Sequence, residues 1–200
     1  MHTDKLDSVT KTDDTDLAAL EEVTADLVDA LTGIDECQAV LPTPCTEWNL
    51  ADLVDHVTGG NWYTVRVLAG DTSDEALAAT MTRFAVGSAS SSVAVQSATD
   101  QLEAFKNAGA LDRSWHHVAG SLSGRQILRL RVHDLIVHTW DIDETCRPPA
   151  SVPTKLAEWG RRELQAADSL TSKHFGIPDG AGDQPPVDDA ASAYLRAFGR

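Results

Sequence analysis

The sequence predicts an all-α protein, a four-helix bundle with additional C-terminal helices. Three observations carry that prediction. Apolar residues recur at three- and four-residue spacing through four long segments. Two of those segments open on a capping box or a close variant of one. No region is rich in strand patterning, and no internal repeat is present.

Residues 1–15 are polar and acidic and read as a loose tail ahead of a single domain over 16–200. The helical pattern begins at Asp16, with Leu17, Leu20, Leu27, Val28 and Leu31 on one stripe and Gly33 ending it. A connector containing Pro42 and Pro44 follows. The second helix spans Leu50 to Leu68, with Asn49 as its cap and Asp52 three residues on. Leu50, Leu53, Val54 and Val57 form its apolar face, and His56 borders that face. Gly59 and Gly60 inside this helix cost about 1 kcal/mol each against alanine, which signals a close backbone approach or a kink.

A short helix over Glu75–Phe84 comes next, then a Gly/Ser/Ala stretch at 87–92. The third long helix covers Ser92 to Lys106, with Val95, Ala98, Leu102 and Phe105 inward. Leu111–Leu122 is a connector with some extended structure; it carries Trp115, His116 and His117. Ser123 and Gln126 form the capping box of the fourth helix, which runs to about Thr145 and is stopped by Pro148 and Pro149. Its apolar residues are Ile127, Leu128, Leu135, Val137 and Ile142. A fifth helix spans Val152 to about Leu170, with Leu156, Trp159 and Leu164 inward. A Gly/Pro/Asp loop over 176–189 separates it from a last short helix, Ala190 to Phe198.

The composition narrows the function. Acids outnumber bases 31 to 16, for a formal charge of −15, and that field repels phosphate backbones and anionic membranes. No nucleic-acid or membrane partner is expected, and a regulator acting on DNA is disfavoured. No basic segment followed by an apolar core marks a signal peptide, and no apolar run is long enough to span a bilayer, so a cytoplasmic location is expected. Cys37, Cys45 and Cys146 are odd in number and lack zinc-knuckle spacing, so reduced thiols are expected. Cys45 precedes a helix, where a thiol pKa can fall, but it reads first as a small, partly buried turn residue.

The fourth helix carries the chemistry. Arg131, Asp134, His138 and Asp141 form a polar line within its apolar face, each three or four residues from the next. A carboxylate and an imidazole on a buried stripe are costly unless paired or bound to a cation. With His56 on the facing helix, Asp134 and His138 make a candidate divalent-metal site, converging deep in the bundle. The competing reading of Asp134 and His138 is a plain contact on a helix surface. Arg131 and Asp141 are candidates to orient the ligands or to form helix–helix salt bridges. Asn61 is a candidate to bind substrate or to cap a kink. His133 points about 100° from Asp134 and reads as packing or surface. His116 and His117 read as loop residues, one of them able to approach the pocket mouth. Trp62 and Trp140 read as core.

Two segments carry a family resemblance. Pro42-Thr-Pro-Cys-Thr-Glu-Trp-Asn-Leu-Ala-Asp-Leu-Val-Asp-His-Val-Thr-Gly-Gly-Asn61 and Arg131-Val-His-Asp-Leu-Ile-Val-His-Thr-Trp-Asp141 resemble the second- and fourth-helix signatures of the DinB-like, mycothiol-dependent maleylpyruvate isomerase superfamily. The ending, from Pro185-Pro-Val to Leu195-Arg-Ala-Phe-Gly-Arg200, resembles the tail of an actinobacterial metal-binding subgroup. The resemblance implies a bundle with a metal held by His56, Asp134 and His138. The ion is expected to be zinc, with nickel or iron as alternatives. The maleylpyruvate isomerase branch has glutamate where this chain has Asp134, shorter by one methylene. The resemblance further implies a low-molecular-weight thiol, mycothiol, as co-reactant and a small-molecule substrate. The function expected is a metal- and thiol-dependent transferase or isomerase. The alternative is a non-enzymatic bundle with a structural or vestigial metal, acting in homodimerisation or partner binding.

Overall fold

In the computed structural model the described residues are 4–84, 89–166, 170–178 and 189–200. Eight helices and one small hairpin are found among them. The bundle is made by α1 (Asp4–Thr32), α2 (Leu50–Ala69), α4 (Ser91–Lys106) and α5 (Gly124–Cys146). Around the ring, α1 packs on α4 and α5, and α2 packs on the same two helices. Between α2 and α4 lies α3 (Ser73–Phe84), seated on α2. The hairpin β1 (Ser114–His117) and β2 (Gly120–Ser123) precedes α5, with Trp115 opposite Leu122. After the bundle come α6 (Thr154–Gln165), α7 (Leu170–Phe175) and α8 (Ala190–Ala197).

Local chemistry accounts for the helix ends. The Asn49 side chain accepts from the Asp52 amide while Asp52 accepts from the Asn49 amide, and Ser123 and Gln126 do the same for α5. Each reciprocal pair satisfies two amides that a helix start leaves bare. The core is continuous, with Leu20, Leu27 and Leu31 of α1 meeting Leu53 and Val57 of α2 and Ile127, Leu135 and Ile142 of α5 in one buried cluster. On the far side of α1, the buried Asp16 accepts from Trp159 Nε1 at 3.1 Å and from Arg129 Nε at 2.8 Å, tying α6 to the bundle.

Several expectations are corrected. The loose tail was expected to reach residue 15, but α1 already begins at Asp4. The connector after α4 closes into a hairpin. The helix expected over 152–170 ends at Gln165, because the chain turns extended at Ala166, with φ −62° and ψ 130°, and a separate helix begins at Leu170. Most of the 176–189 loop, part of the Gly/Ser stretch and the Pro185-Pro-Val segment lie outside the described residues. The inward stripe of α4 is Ala94, Ser97, Ala98, Gln101 and Phe105, whereas Val95 and Leu102 are only partly buried. Periodicity placed the stripe one position late because Ser97 and Gln101 are polar, yet both face inward to serve partners on α2 and α5.

Candidate metal centre

The polar line of α5 meets α2 at one end of the bundle. His56 Nε2 lies 3.6 Å from Asp134 Oδ1, and His138 Nε2 lies 3.5 Å from the same oxygen. The two imidazole rings stand edge to face with centroids 4.9 Å apart. One donor atom from each of His56, Asp134 and His138 falls within 4.8 Å of the others. The structure therefore brings together the three side chains singled out by spacing. Their depth differs from expectation: Asp134 and His138 are buried, but the His56 side chain is 39% exposed, so the cluster sits at the solvent edge.

Each member is held by neighbours. Arg131 donates from Nη1 to Asp134 Oδ2 at 2.7 Å, from Nε to Gln101 Oε1 at 2.8 Å and from Nη2 to Asn61 Oδ1 at 2.8 Å. Asn61 in turn donates to Ser97 Oγ at 3.0 Å. Arg131, weighed as a ligand-orienting residue or a helix–helix salt bridge, thus bonds Asp134 on its own helix, while Asn61, weighed as a substrate binder or a kink cap, is engaged with Arg131 and Ser97. The two glycines of α2 are explained by close approach. A Cβ on Gly60 would lie 2.4 Å from Arg131 Nη1, and one on Gly59 would lie 2.7 Å from the Phe84 ring. Since Arg131 is tied at three points, it cannot swing aside to admit that carbon.

On the other side of His138, Nδ1 lies 3.0 Å from Asp141 Oδ2. Arg200, from the far end of the chain, donates to both oxygens of Asp141: Nε to Oδ1 at 2.6 Å and Nη2 to Oδ2 at 2.9 Å. Cys45 Sγ lies 3.3 Å from Asp141 Oδ2 and accepts from Arg200 Nη2 at 2.9 Å. Cys45 is thus half-buried in a turn, as expected, but its thiol joins the relay behind His138. The 42–49 loop that carries it is self-tied: Trp48 N–H donates to the Cys45 carbonyl at 2.8 Å, and Thr43 Oγ1 donates to the Trp48 carbonyl at 2.9 Å. Trp48 stacks beside His56 at 4.6 Å and completes the wall next to both imidazoles. Sequence reasoning gave Arg200 and Trp48 no role at the site, although both lie in the motifs that carry the family resemblance, Trp48 directly before the Asn49 cap and Arg200 at the end of the tail motif.

The electrostatics favour positive charge. Burial works against the Asp134 carboxylate, yet Arg131 and His138 hold it well below the usual range. Asp141 is likewise lowered, burial being outweighed by hydrogen bonds from His138 and Arg200. Burial would also depress His138, but Asp134 and Asp141 raise it well above the ordinary histidine value. A cluster that stabilises a proton this way suits a cation, and the donor set of two imidazoles and a carboxylate suits zinc or another divalent metal ion. A second grouping, Cys45, His138 and Asp141, also has ligand spacing, but there the Arg200 guanidinium already supplies the positive charge.

Two cavities flank the cluster. One, of about 360 Å³, is lined by His56 and Asp134 together with residues of α3, the hairpin and α7. The other, of about 520 Å³, is lined by Asp134, His138 and the C-terminal residues 196–200. His117, read from the sequence as a loop residue able to approach the pocket mouth, is the last residue of β1 and lies in the wall of the first cavity. His133 is fully buried, with Nδ1 2.9 Å from Tyr194 Oη, which settles it as packing. Trp62 is core, and Trp140 is half-buried.

Burial lowers the His117 imidazole from 6.5 to about 4, helped by the charges of His174 and Arg131. In an NMR titration its ring is expected to take up a proton near pH 4. The unfolded chain protonates this residue near 6.5 and the native protein does not, so the His117 contribution to stability is lost as pH falls from about 6.5 to about 4. A His117 midpoint near 6.5 in the folded protein would contradict its burial.

The family described as mycothiol maleylpyruvate isomerase N-terminal domain matches this chain over residues 20–143. Two uncharacterized proteins of Mycobacterium tuberculosis, from strains CDC 1551 and ATCC 25618, are each 28% identical over 137 residues, covering 68% of this chain and 69% of theirs. Among solved structures, the fold is similar to a crystal structure of the mycothiol-dependent maleylpyruvate isomerase, with a TM-score of 0.55 and 14% identity over 75% of this chain and 68% of that one. A histidine-to-alanine mutant of that enzyme gives a TM-score of 0.56 and 13% identity over the same shares.

Proposed function

The chain belongs to the mycothiol maleylpyruvate isomerase N-terminal domain family, and from that membership we propose that it is a divalent-metal protein acting with a small thiol as a transferase or isomerase. His56, Asp134 and His138 would hold the ion, with zinc the expected metal and mycothiol the expected thiol. A divalent ion at these ligands would supply Lewis acidity, lowering the pKa of a thiol or water placed beside it. The observation that supports the reading best is the Arg200–Asp141–His138 relay. It occupies Nδ1 of His138 and leaves Nε2 directed at Asp134, an arrangement typical of metal-binding histidines. Arg131 takes one oxygen of Asp134, and the other is the one shared with both imidazoles. Asn61 and Gln101 keep Arg131 from leaving that carboxylate for solvent.

The competing reading is a structural ion in a non-enzymatic bundle. It calls for a closed set of protein ligands, and among the described residues neither His116 nor His117 joins the cluster. The cavity beside His56 and Asp134 favours access by a small molecule instead.

Elemental analysis of protein purified without chelator is expected to give about one divalent ion per chain. Thermal-shift assays with mycothiol, bacillithiol and glutathione are expected to show stabilisation by one thiol, dependent on metal. Protein with no metal and no uptake on titration would remove the proposal; metal uptake without any thiol response would favour the structural ion.

The relay makes a finer prediction. Arg200→Ala is expected to weaken metal binding by about 10- to 100-fold while leaving the helical content unchanged, as measured by competition with a chelating dye. Arg200→Lys should recover little of that loss, since a single ammonium cannot reproduce the two-pronged grip on Asp141. Unaltered affinity in both variants would show that Asp141 orients His138 unaided.

A further inference from the structure

We propose that the cavity of about 350 Å³ between α1, α5 and the 147–153 turn binds a primary ammonium group carried on an aliphatic chain. The site is separate from the metal centre. On α5 its wall is Ile136, Thr139, Trp140 and Asp143, spaced three or four residues along the helix. The metal centre uses Asp134, His138 and Asp141. At about 100° per residue the two sets point to opposite sides of α5.

The charges of this wall do not balance. Asp26 and Asp29 of α1 line it with Asp143, and Arg147 is the one arginine or lysine among its described lining residues. Arg147 pairs with Asp143, donates to the Ala30 carbonyl at 3.5 Å and lies against Gly33, where a Cβ would overlap its Nη1. No histidine lines the cavity among the described residues. The first turn of α6 stands beside it with no side-chain cap, and the positive end of that helix dipole amounts to about half a charge. Asp26 and Asp29 together exceed it. Burial raises the Asp26 carboxyl above the usual range, and Glu22, Asp29 and Asp143 raise it further. A cation seated in the cavity relieves that repulsion.

Two polar atoms of the wall have no hydrogen-bond partner among the described residues, Asp26 Oδ2 and Thr139 Oγ1. Thr139 is only 7% exposed. Its hydroxyl makes no bond to a helix carbonyl one turn back, as Thr58, Thr64 and Thr145 do. A hydroxyl left bare at that depth is costly unless a ligand satisfies it.

A primary ammonium answers both features. It brings one compact positive charge and three N–H donors, for the carboxylate and the hydroxyl. A metal ion is not served, because two groups with ligand spacing are found among the described residues and neither includes Asp26, Asp29 or Asp143. A quaternary ammonium has no N–H to donate. Val23, Ile136 and Leu156 receive the aliphatic chain, and the Trp140 ring adds a surface that attracts cations.

The test is calorimetric titration of the full chain near neutral pH in about 150 mM salt, which screens diffuse attraction to the net charge. The probes are putrescine, tetramethylammonium and magnesium. Putrescine is expected to saturate a single site and to bind at least about tenfold more tightly than either other cation. Asp26→Asn is expected to lose about tenfold or more in putrescine affinity, and Thr139→Val about threefold or more, with circular dichroism unchanged. His138→Ala is expected to bind putrescine as the native protein does. Equal affinity for the three cations, no saturable putrescine binding, unchanged affinity in either Asp26→Asn or Thr139→Val, or loss of binding in His138→Ala would overturn the proposal.

Discussion

His138→Ala is expected to take up no zinc under conditions where the native protein binds about one ion per chain. The substitution deletes one of three candidate donors and leaves His56 and Asp134, too few to hold an ion against water. The fold should survive the change. Asp141 retains both contacts with Arg200, and Asp134 retains Arg131, so neither buried carboxylate is stranded. Competition titration and elemental analysis read the metal, and circular dichroism reads the helices. Stoichiometry equal to the native protein would take His138 out of the ligand set and with it the role given to the relay behind it.

Arg131→Met should produce the largest loss of stability, about 3–5 kcal/mol in urea unfolding. Methionine retains apolar bulk but leaves Asp134 Oδ2, Gln101 Oε1 and Asn61 Oδ1 without their donor, all within a buried junction of α2, α4 and α5. In a chain of this size such a loss corresponds to a melting temperature lower by about 10 °C or more. A change under about 1 kcal/mol would mean that water replaces the guanidinium, and that Gly60 is not retained to make room for it. Gly60 and Arg131 belong together in this account, because the missing Cβ is what lets the guanidinium lie against the helix.

Much of the bundle was legible in the residues. Asn49 with Asp52 and Ser123 with Gln126 are local signals: cap and partner are three residues apart, so nothing distant is needed for them to form. The polar line of α5 was equally readable, since Arg131, Asp134, His138 and Asp141 share a face through helical spacing alone. The α4 stripe was misplaced because apolar periodicity has no way to credit Ser97 or Gln101 with burial. Each is buried for a hydrogen bond to a side chain at least 30 residues away in sequence. The break between α6 and α7 was missed, and the hairpin before α5 was read only as some extended structure in a connector. The 114–123 segment is too short for alternation to stand out, and its strands are fixed by pairing and by Trp115 reaching the Ala110 carbonyl.

What the sequence determined by itself is the four long bundle helices, the capped starts of two of them, and the line of ionisable groups on one, because these depend on interactions within a few turns of chain. What the tertiary structure decided is which groups meet. His56 joins Asp134 and His138 only because α2 packs on α5, and Arg200 reaches Asp141 across a sequence separation of 59. Likewise, in the cavity beside His56 the Thr64 and Thr80 hydroxyls and the Arg131 guanidinium spend their hydrogen bonds on the protein itself. Composition records that those groups exist; only packing determines whether they remain available to a ligand.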